Sequence, residues 1–174
     1  PRRQKLCIND LENLINTTEE GLKEAYIKCA AVETLHSWHY YKNKKGNEAE
    51  TLKSGTIPED FKRQMFYTYG DYRDFLFGTD ISKKHGNGSA LENQINSVFS
   101  NSGEELPNKK KRDQWWQING PEIWKGMLCA LTNGLSENQK TQIKTKYSYD
   151  ELNNAKKGNS SLEKFASKPQ FLRW

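Results

Sequence analysis

The sequence is short of most features that announce a chemistry. It has three cysteines (Cys7, Cys29, Cys129) in 174 residues, with no CxxC spacing. That excludes a disulfide-dense miniprotein and leaves a zinc site without support. Three histidines give no HExxH geometry, because His36 and His39 are one residue too close for i, i+4. No apolar run approaches the roughly 18 consecutive residues that a transmembrane helix needs. No phosphate-binding loop, nucleophile elbow or dinucleotide fingerprint occurs, so neither catalysis nor a cofactor has a candidate residue set. Strand alternation and internal repeats are missing too. The chain starts at Pro1 without an apolar leader and stops on Trp174, so both ends are expected to lie inside something longer.

What is there is an unusual pairing. The charges, 27 Lys+Arg against 22 Asp+Glu, leave +5, yet the chain carries 7 Phe, 8 Tyr and 5 Trp. Disordered chains are poor in aromatics, so one ordered domain fits the length. The aromatics fall at helical spacing. Thr17 and Glu20 form a capping-box pattern ahead of Leu22, Tyr26, Cys29, Val32, His36 and Tyr40, predicting a helix to near Tyr41. Lys42 to Gly55 reads as a polar loop. Pro58 opens a second helix with the stripe Phe61, Met65, Tyr69, Tyr72 and Leu76, stopped at Gly78. Ser89 and Glu92 cap a shorter helix bearing Leu91, Ile95 and Val98/Phe99. Ser100 to Arg112 reads as a loop, and Asn119-Gly120-Pro121-Glu122 as a second loop leading into a helix with Ile123, Trp124, Met127, Leu128 and Leu131. Beyond Gly134 the pattern predicts loops and one short capped helix from Ser160 to about Ala166. The fold class read from this is all-α, a helical bundle with long polar loops.

Few constellations suggest a site. Cys29, Glu33 and His36 share a stripe at i, i+4, i+7, which suits a helix contact with a Glu33–His36 hydrogen bond better than a metal. In GDYRD, Asp71 and Asp74 flank Arg73, with Asp80 following, which reads as a carboxylate-paired arginine rather than an acid/base pair. Basic clusters are the remaining signal: Lys42, Lys44 and Lys45; Lys83, Lys84 and His85; Lys109, Lys110, Lys111 and Arg112. Such clusters suit sulfated glycans or nucleic acid by charge, or simply keep a helical domain soluble. The aromatics are not interleaved with the lysines, which argues against a stacking platform for single strands. In an oxidising compartment the three cysteines would make one bridge and leave one thiol, whereas in a reducing one they would be small buried hydrophobes. Asn16, Asn87 and Asn159 are glycosylation sequons, at a frequency chance also explains.

Six ordered blocks, PRRQKLC (1–7), KCAAVETLHSWHYYK (28–42), IPEDFKRQMFYTYGDYRD (57–74), WWQINGPEIWKGMLCAL (115–131), YSYDEL (147–152) and KPQFLRW (168–174), together closely resemble the Duffy-binding-like domains of the malaria parasite's variant erythrocyte membrane proteins. More loosely, the chain is similar to the erythrocyte-binding ligands of invasion. The resemblance implies the middle of three subdomains, with the edge of the third at about 160–174. It implies a Cys29–Cys129 bridge, closing a loop worth roughly 4–5 kcal/mol, and a Cys7 whose partner lies in the missing first subdomain. It implies an extracellular, non-enzymatic, adhesive role on the infected erythrocyte, membrane-attached only through the parent chain and packed on neighbouring domains. Idle sequons go with that setting. The implied partner is a host-cell receptor or a glycosaminoglycan such as chondroitin sulfate, or immunoglobulin; the resemblance does not select among them, and it is the basic runs themselves that make Lys42, Lys44, Lys45, Lys83, Lys84 and Lys109 to Arg112 the expected ligand residues. A non-binding spacer that displays antigenic variation is the competing reading, and nucleic acid is not an expected partner.

Overall fold

The computed structural model describes residues 6–82, 85–86, 88–100, 107–154 and 161–173. Its elements are helical, with no strand among the described residues. Three long helices make the body: α2 (Glu19–Lys44), α4 (Glu59–Phe77) and α6 (Asn108–Leu131). Around them pack α1 (Asn9–Glu12), α3 (Gly46–Ala49), α5 (Ala90–Ser100), α7 (Glu137–Lys146), α8 (Tyr149–Leu152) and α9 (Leu162–Ala166). A 3₁₀ turn, Gln170–Leu172, follows α9.

The direction of each long helix follows from its contacts. Trp115 donates its indole N–H to the Glu19 carbonyl (3.2 Å), Gly126 lies against Ile27, and Leu131 shares a cleft with Leu35 and Trp38. Helices α2 and α6 therefore run in parallel. Helix α4 opposes both: Phe61 meets Trp38 and Tyr41, Tyr72 meets Tyr26, Tyr69 meets Trp116, and Phe66 meets Trp124. The aromatic stripes are thus the bundle core, with ring pairs in edge and tilted arrangements that add to their burial.

Local signals explain most helix ends. Helix α4 starts after Pro58 and stops at Gly78, whose φ of 67° is left-handed. Helix α2 is capped by Thr18, whose Oγ1 accepts from Gly21 N at 3.1 Å. That is one residue later than the expected Thr17 cap.

Three expectations fail here. Lys42 to Gly55 is not a loop: α2 runs to Lys44, then α3 and a 3₁₀ turn (Glu50–Ser54) follow, burying Ala49 and Leu52. The Lys45–Glu48 and Lys53–Glu50 pairs at i, i+3 lend small support. Residues 108–122 are helix too, and α6 passes through Pro121. Proline there removes the amide that would bond the Gln117 carbonyl and strains the turn. The packing of Trp116, Gly120 and Trp124 offsets that cost: a Cβ on Gly120 would lie 2.7 Å from the Tyr69 hydroxyl. Finally, α7 and α8 occupy the stretch expected to be loop-rich. Ser136 and Gln139 form a complete capping box for α7.

Candidate functional site

The structure separates the basic clusters. Lys42, Lys44 and Lys45 sit at the C-terminal end of α2, and Lys109 to Arg112 at the N-terminal end of α6. Because the two helices are parallel and Trp115 lies level with Glu19, Lys109 stands six residues further out on the opposite side from Lys42. From Glu19 to Lys42 is 23 residues and from Lys109 to Trp115 is 6 more, so the clusters stand about 44 Å apart at about 1.5 Å rise per residue. The third cluster, Lys83 and Lys84, lies outside the described residues.

Within each cluster, only some side chains are available. Lys42 and Lys44 are exposed, and Lys44 lies over the Tyr40 ring. Lys45 is engaged: it bonds Asp60 at 2.7 Å and lies 3.5 Å from Glu48. Asp60 also accepts from the Tyr41 hydroxyl, and the Lys45 and Tyr41 bonds hold its carboxyl below the usual range. Lys109 and Lys110 are exposed, with no carboxylate partner among the described residues. Lys111 and Arg112, by contrast, face inward (9% and 7% exposed). Arg112 donates to the Leu76 carbonyl, Asn96 Oδ1 and Asn108 Oδ1, and Lys111 reaches the Phe99 carbonyl at 3.4 Å. A helix start turns one face to the core at every third or fourth residue, so a run of four cations cannot all face solvent.

The expected pairing in GDYRD is also redrawn. Asp71 and Asp74 are buried with Arg173, about a hundred residues downstream, which donates to both carboxylates and to the carbonyls of Ala166 (3.1 Å) and Lys168 (2.8 Å). Arg73 instead stacks over Phe77 at 4.4 Å. Asp80 accepts from Gln170 Nε2 (2.8 Å) while Gln170 Oε1 accepts from Ile81 N (2.9 Å), so the C-terminal turn is stitched to the loop after α4. The buried His85 packs on Phe75, with Nδ1 3.1 Å from Ser82 Oγ. A carboxylate further along, Glu163 on α9, accepts from the Tyr69 hydroxyl and from the Trp116 indole (3.2 Å), tying α9 to α4 and α6.

The stripe of Cys29, Glu33 and His36 does other work. Glu33 is buried and accepts from Cys7 N (3.0 Å) and Ser37 Oγ, whereas His36 is exposed. No group of residues among those described is arranged to hold a metal ion. The three cysteines stand unbridged in the structure. Cys29 is buried, beside Cys7 and the start of α1, and burial with the Cys7 thiol nearby pushes its pKa up to about 12. Cys129 is exposed on α6.

Two clefts accompany the basic ends. One, about 370 Å³, lies beneath Trp38, His39 and Lys42 against Leu131 and Leu135. The other, about 500 Å³, is bounded by the end of α4 and the start of α6. No helix among the described residues is long and apolar enough to cross a membrane. Sequence reading missed Arg173 and Glu163 because neither stands near its partners in the chain.

Comparison with known proteins agrees with this architecture. The chain is 28% identical over 148 residues to the Duffy receptor of Plasmodium vivax (strain Salvador I), covering 79% of this chain and 12% of that protein. It is 27% identical over 150 residues to the Duffy receptor alpha form of Plasmodium knowlesi, covering 78% of this chain and 12% of the relative. It therefore spans about an eighth of the length of these relatives. No solved structure matches it significantly. The Duffy binding domain model matches residues 1–173, essentially the whole length, and the chain belongs to that family.

Proposed function

We propose that this chain is a host-cell adhesion module of a parasite surface protein, displayed outside the infected erythrocyte as part of a longer variant antigen. Its partner is a host-cell receptor whose recognised surface is a sulfated glycan such as chondroitin sulfate. One observation carries the reading: Lys42 and Lys44 at one end of the bundle, and Lys109 and Lys110 at the other, are exposed cations without carboxylate partners among the described residues. Exposed charge of one sign raises the local concentration of an acidic ligand and speeds its capture. Membership in a family of binding domains supports a binding role rather than catalysis. The name Duffy receptor carried by the relatives supports a partner on the host cell. We also assign residues 1–174 to the middle subdomain, with the edge of the third at about 160–174, where Gln170 and Arg173 anchor that edge to α4 and its following loop.

The test is retention of the folded chain on immobilised chondroitin sulfate and on endothelial cells, in rising salt. Binding should weaken steeply with salt as the Debye length shrinks from about 10 Å toward 3 Å. The double variants Lys42→Gln/Lys44→Gln and Lys109→Gln/Lys110→Gln should each lower retention. Salt-insensitive retention that neither variant alters defeats the glycan reading and favours a protein receptor.

A further inference from the structure

The second cleft, between α4 and α6, contains more positive charge than its own residues neutralise. Arg73 and Phe77 enter from the end of α4, Lys109 and Arg112 from the start of α6, and Glu92 and Asp113 supply the carboxylates. Neither carboxylate forms an ion pair with these cations among the described residues. Glu92 accepts from Gly88 N at 2.7 Å and acts on Arg112 only through its charge. Arg112 is a buried guanidinium whose three hydrogen-bond acceptors are all neutral oxygens, and burial lowers its pKa. Arg73 keeps its guanidinium on the Phe77 face, and its buried Nε has no hydrogen-bond acceptor. Helix α6 adds to the imbalance, since Pro107 offers no side-chain cap and the first turn holds no acid.

We propose that this cleft is a subsite for one sulfate ester of a sulfated glycan. The inference rests on the adhesion reading above and gives it a place. Three cations against two carboxylates leave one positive charge, which a sulfate monoester balances. The donors come from two helices in different directions: the stacked Arg73 edge, the Lys109 ammonium and the floor at Arg112. A sulfate ester has three acceptor oxygens spread in space, whereas a carboxylate has two in one plane. Donors arriving from separate directions therefore suit the sulfate better. Stacking on Phe77 fixes the plane of Arg73, so less side-chain freedom is lost on binding. The exposed lysines at 109 and 110 then draw the polymer toward the cleft, while Arg73 decides that a sulfate sits there.

The experiment is calorimetric titration of the intact chain with a short heparin oligosaccharide, with its desulfated counterpart, and with sodium sulfate as competitor. Loss of one charge-assisted bond should weaken oligosaccharide binding about tenfold in Arg73→Gln and in Lys109→Gln. Arg73→Lys, which keeps the charge, should lose less. Lys144→Gln, on α7 and away from the cleft, should change nothing, and the desulfated sugar should not bind. Equal binding by the Arg73→Gln, Lys109→Gln and Lys144→Gln variants overturns the subsite, as does equal binding of sulfated and desulfated sugar. The two readings fail separately. A chain that captures cells while Arg73→Gln and Lys109→Gln leave sugar binding unchanged loses the subsite and keeps adhesion. One that binds sulfated sugar through Arg73 but captures no host cell keeps the subsite and loses adhesion.

Discussion

Arg173 offers the sharpest mechanical test of the fold. Its guanidinium is buried between Asp71 and Asp74 and also donates to two carbonyls, joining the last turn of the chain to α4. The contact is close enough that a Cβ on Gly70 would lie 3.1 Å from the guanidinium carbon. Replacing Arg173 with Met keeps the side chain's length and removes its charge and donors. Two buried carboxylates then lose the guanidinium that joins them to the C-terminal turn. Removing one partner of a buried pair costs roughly 3–5 kcal/mol, far more than an exposed pair at about 0–1 kcal/mol. For a domain of this size each kcal/mol moves Tm by about 2–4 °C, so a drop of about 10 °C is expected. Urea unfolding gives the free energy, and hydrogen exchange shows whether Leu162–Ala166 and the C-terminal turn loosen first. Adding Asp71→Asn and Asp74→Asn to the Arg173→Met variant should recover part of the loss, because the buried charges that Arg173 offset disappear. A loss below about 1 kcal/mol, with no recovery in the triple variant, refutes the buried-clamp argument.

Other consequences follow from buried groups. Tyr26, Tyr69, Tyr72 and Tyr149 all have pKa values raised, chiefly by burial and at Tyr69 and Tyr149 also by Glu163, and Cys29 is raised to about 12. The folded state holds these protons more tightly than the unfolded one. Their contribution is therefore complete below the unfolded values, about 8.5 for Cys and 10 for Tyr, and is lost as pH rises through and above them. Denaturation midpoints measured from pH 8 to 11 should fall steadily; a flat profile contradicts the burial of these hydroxyls. The Tyr26 hydroxyl is buried without a hydrogen-bond partner, so Tyr26→Phe should leave stability unchanged or raise it by about 1 kcal/mol in a thermal melt. Alkylation mapped by mass spectrometry should label exposed Cys129 quickly and Cys29 only on unfolding; protection of both would restore the bridge that the resemblance implied.

The core was readable because it repeats. Phe61, Met65, Tyr69, Tyr72 and Leu76 mark one face of α4 at a spacing only a helix satisfies, and they are buried together. Helix α7 was silent to that signal since Ile143 is its one buried residue, although Ser136 and Gln139 already spelled its cap. The start of α6 was hidden by Asn119-Gly120-Pro121, punctuation that normally ends a helix but here serves the close approach of Tyr69. The site was less legible than the fold. Lysine runs are visible in sequence, but which lysines face water depends on helix phase, and the opposite placement of the two clusters depends on α2 and α6 being parallel. The partners of Asp71, Asp74 and Tyr69 lie about ninety to a hundred residues away, and no local pattern encodes such pairings.

On the proposed function, exposed cations at the ends of this bundle capture an acidic glycan on a host cell. The direct measurement is capture of the folded chain by endothelial cells before and after enzymatic removal of their sulfated glycosaminoglycans. Capture should drop on enzyme treatment and drop equally when Lys42, Lys44, Lys109 and Lys110 are all replaced by Gln. Capture that survives both treatments, or no capture from a chain shown to be folded, contradicts it.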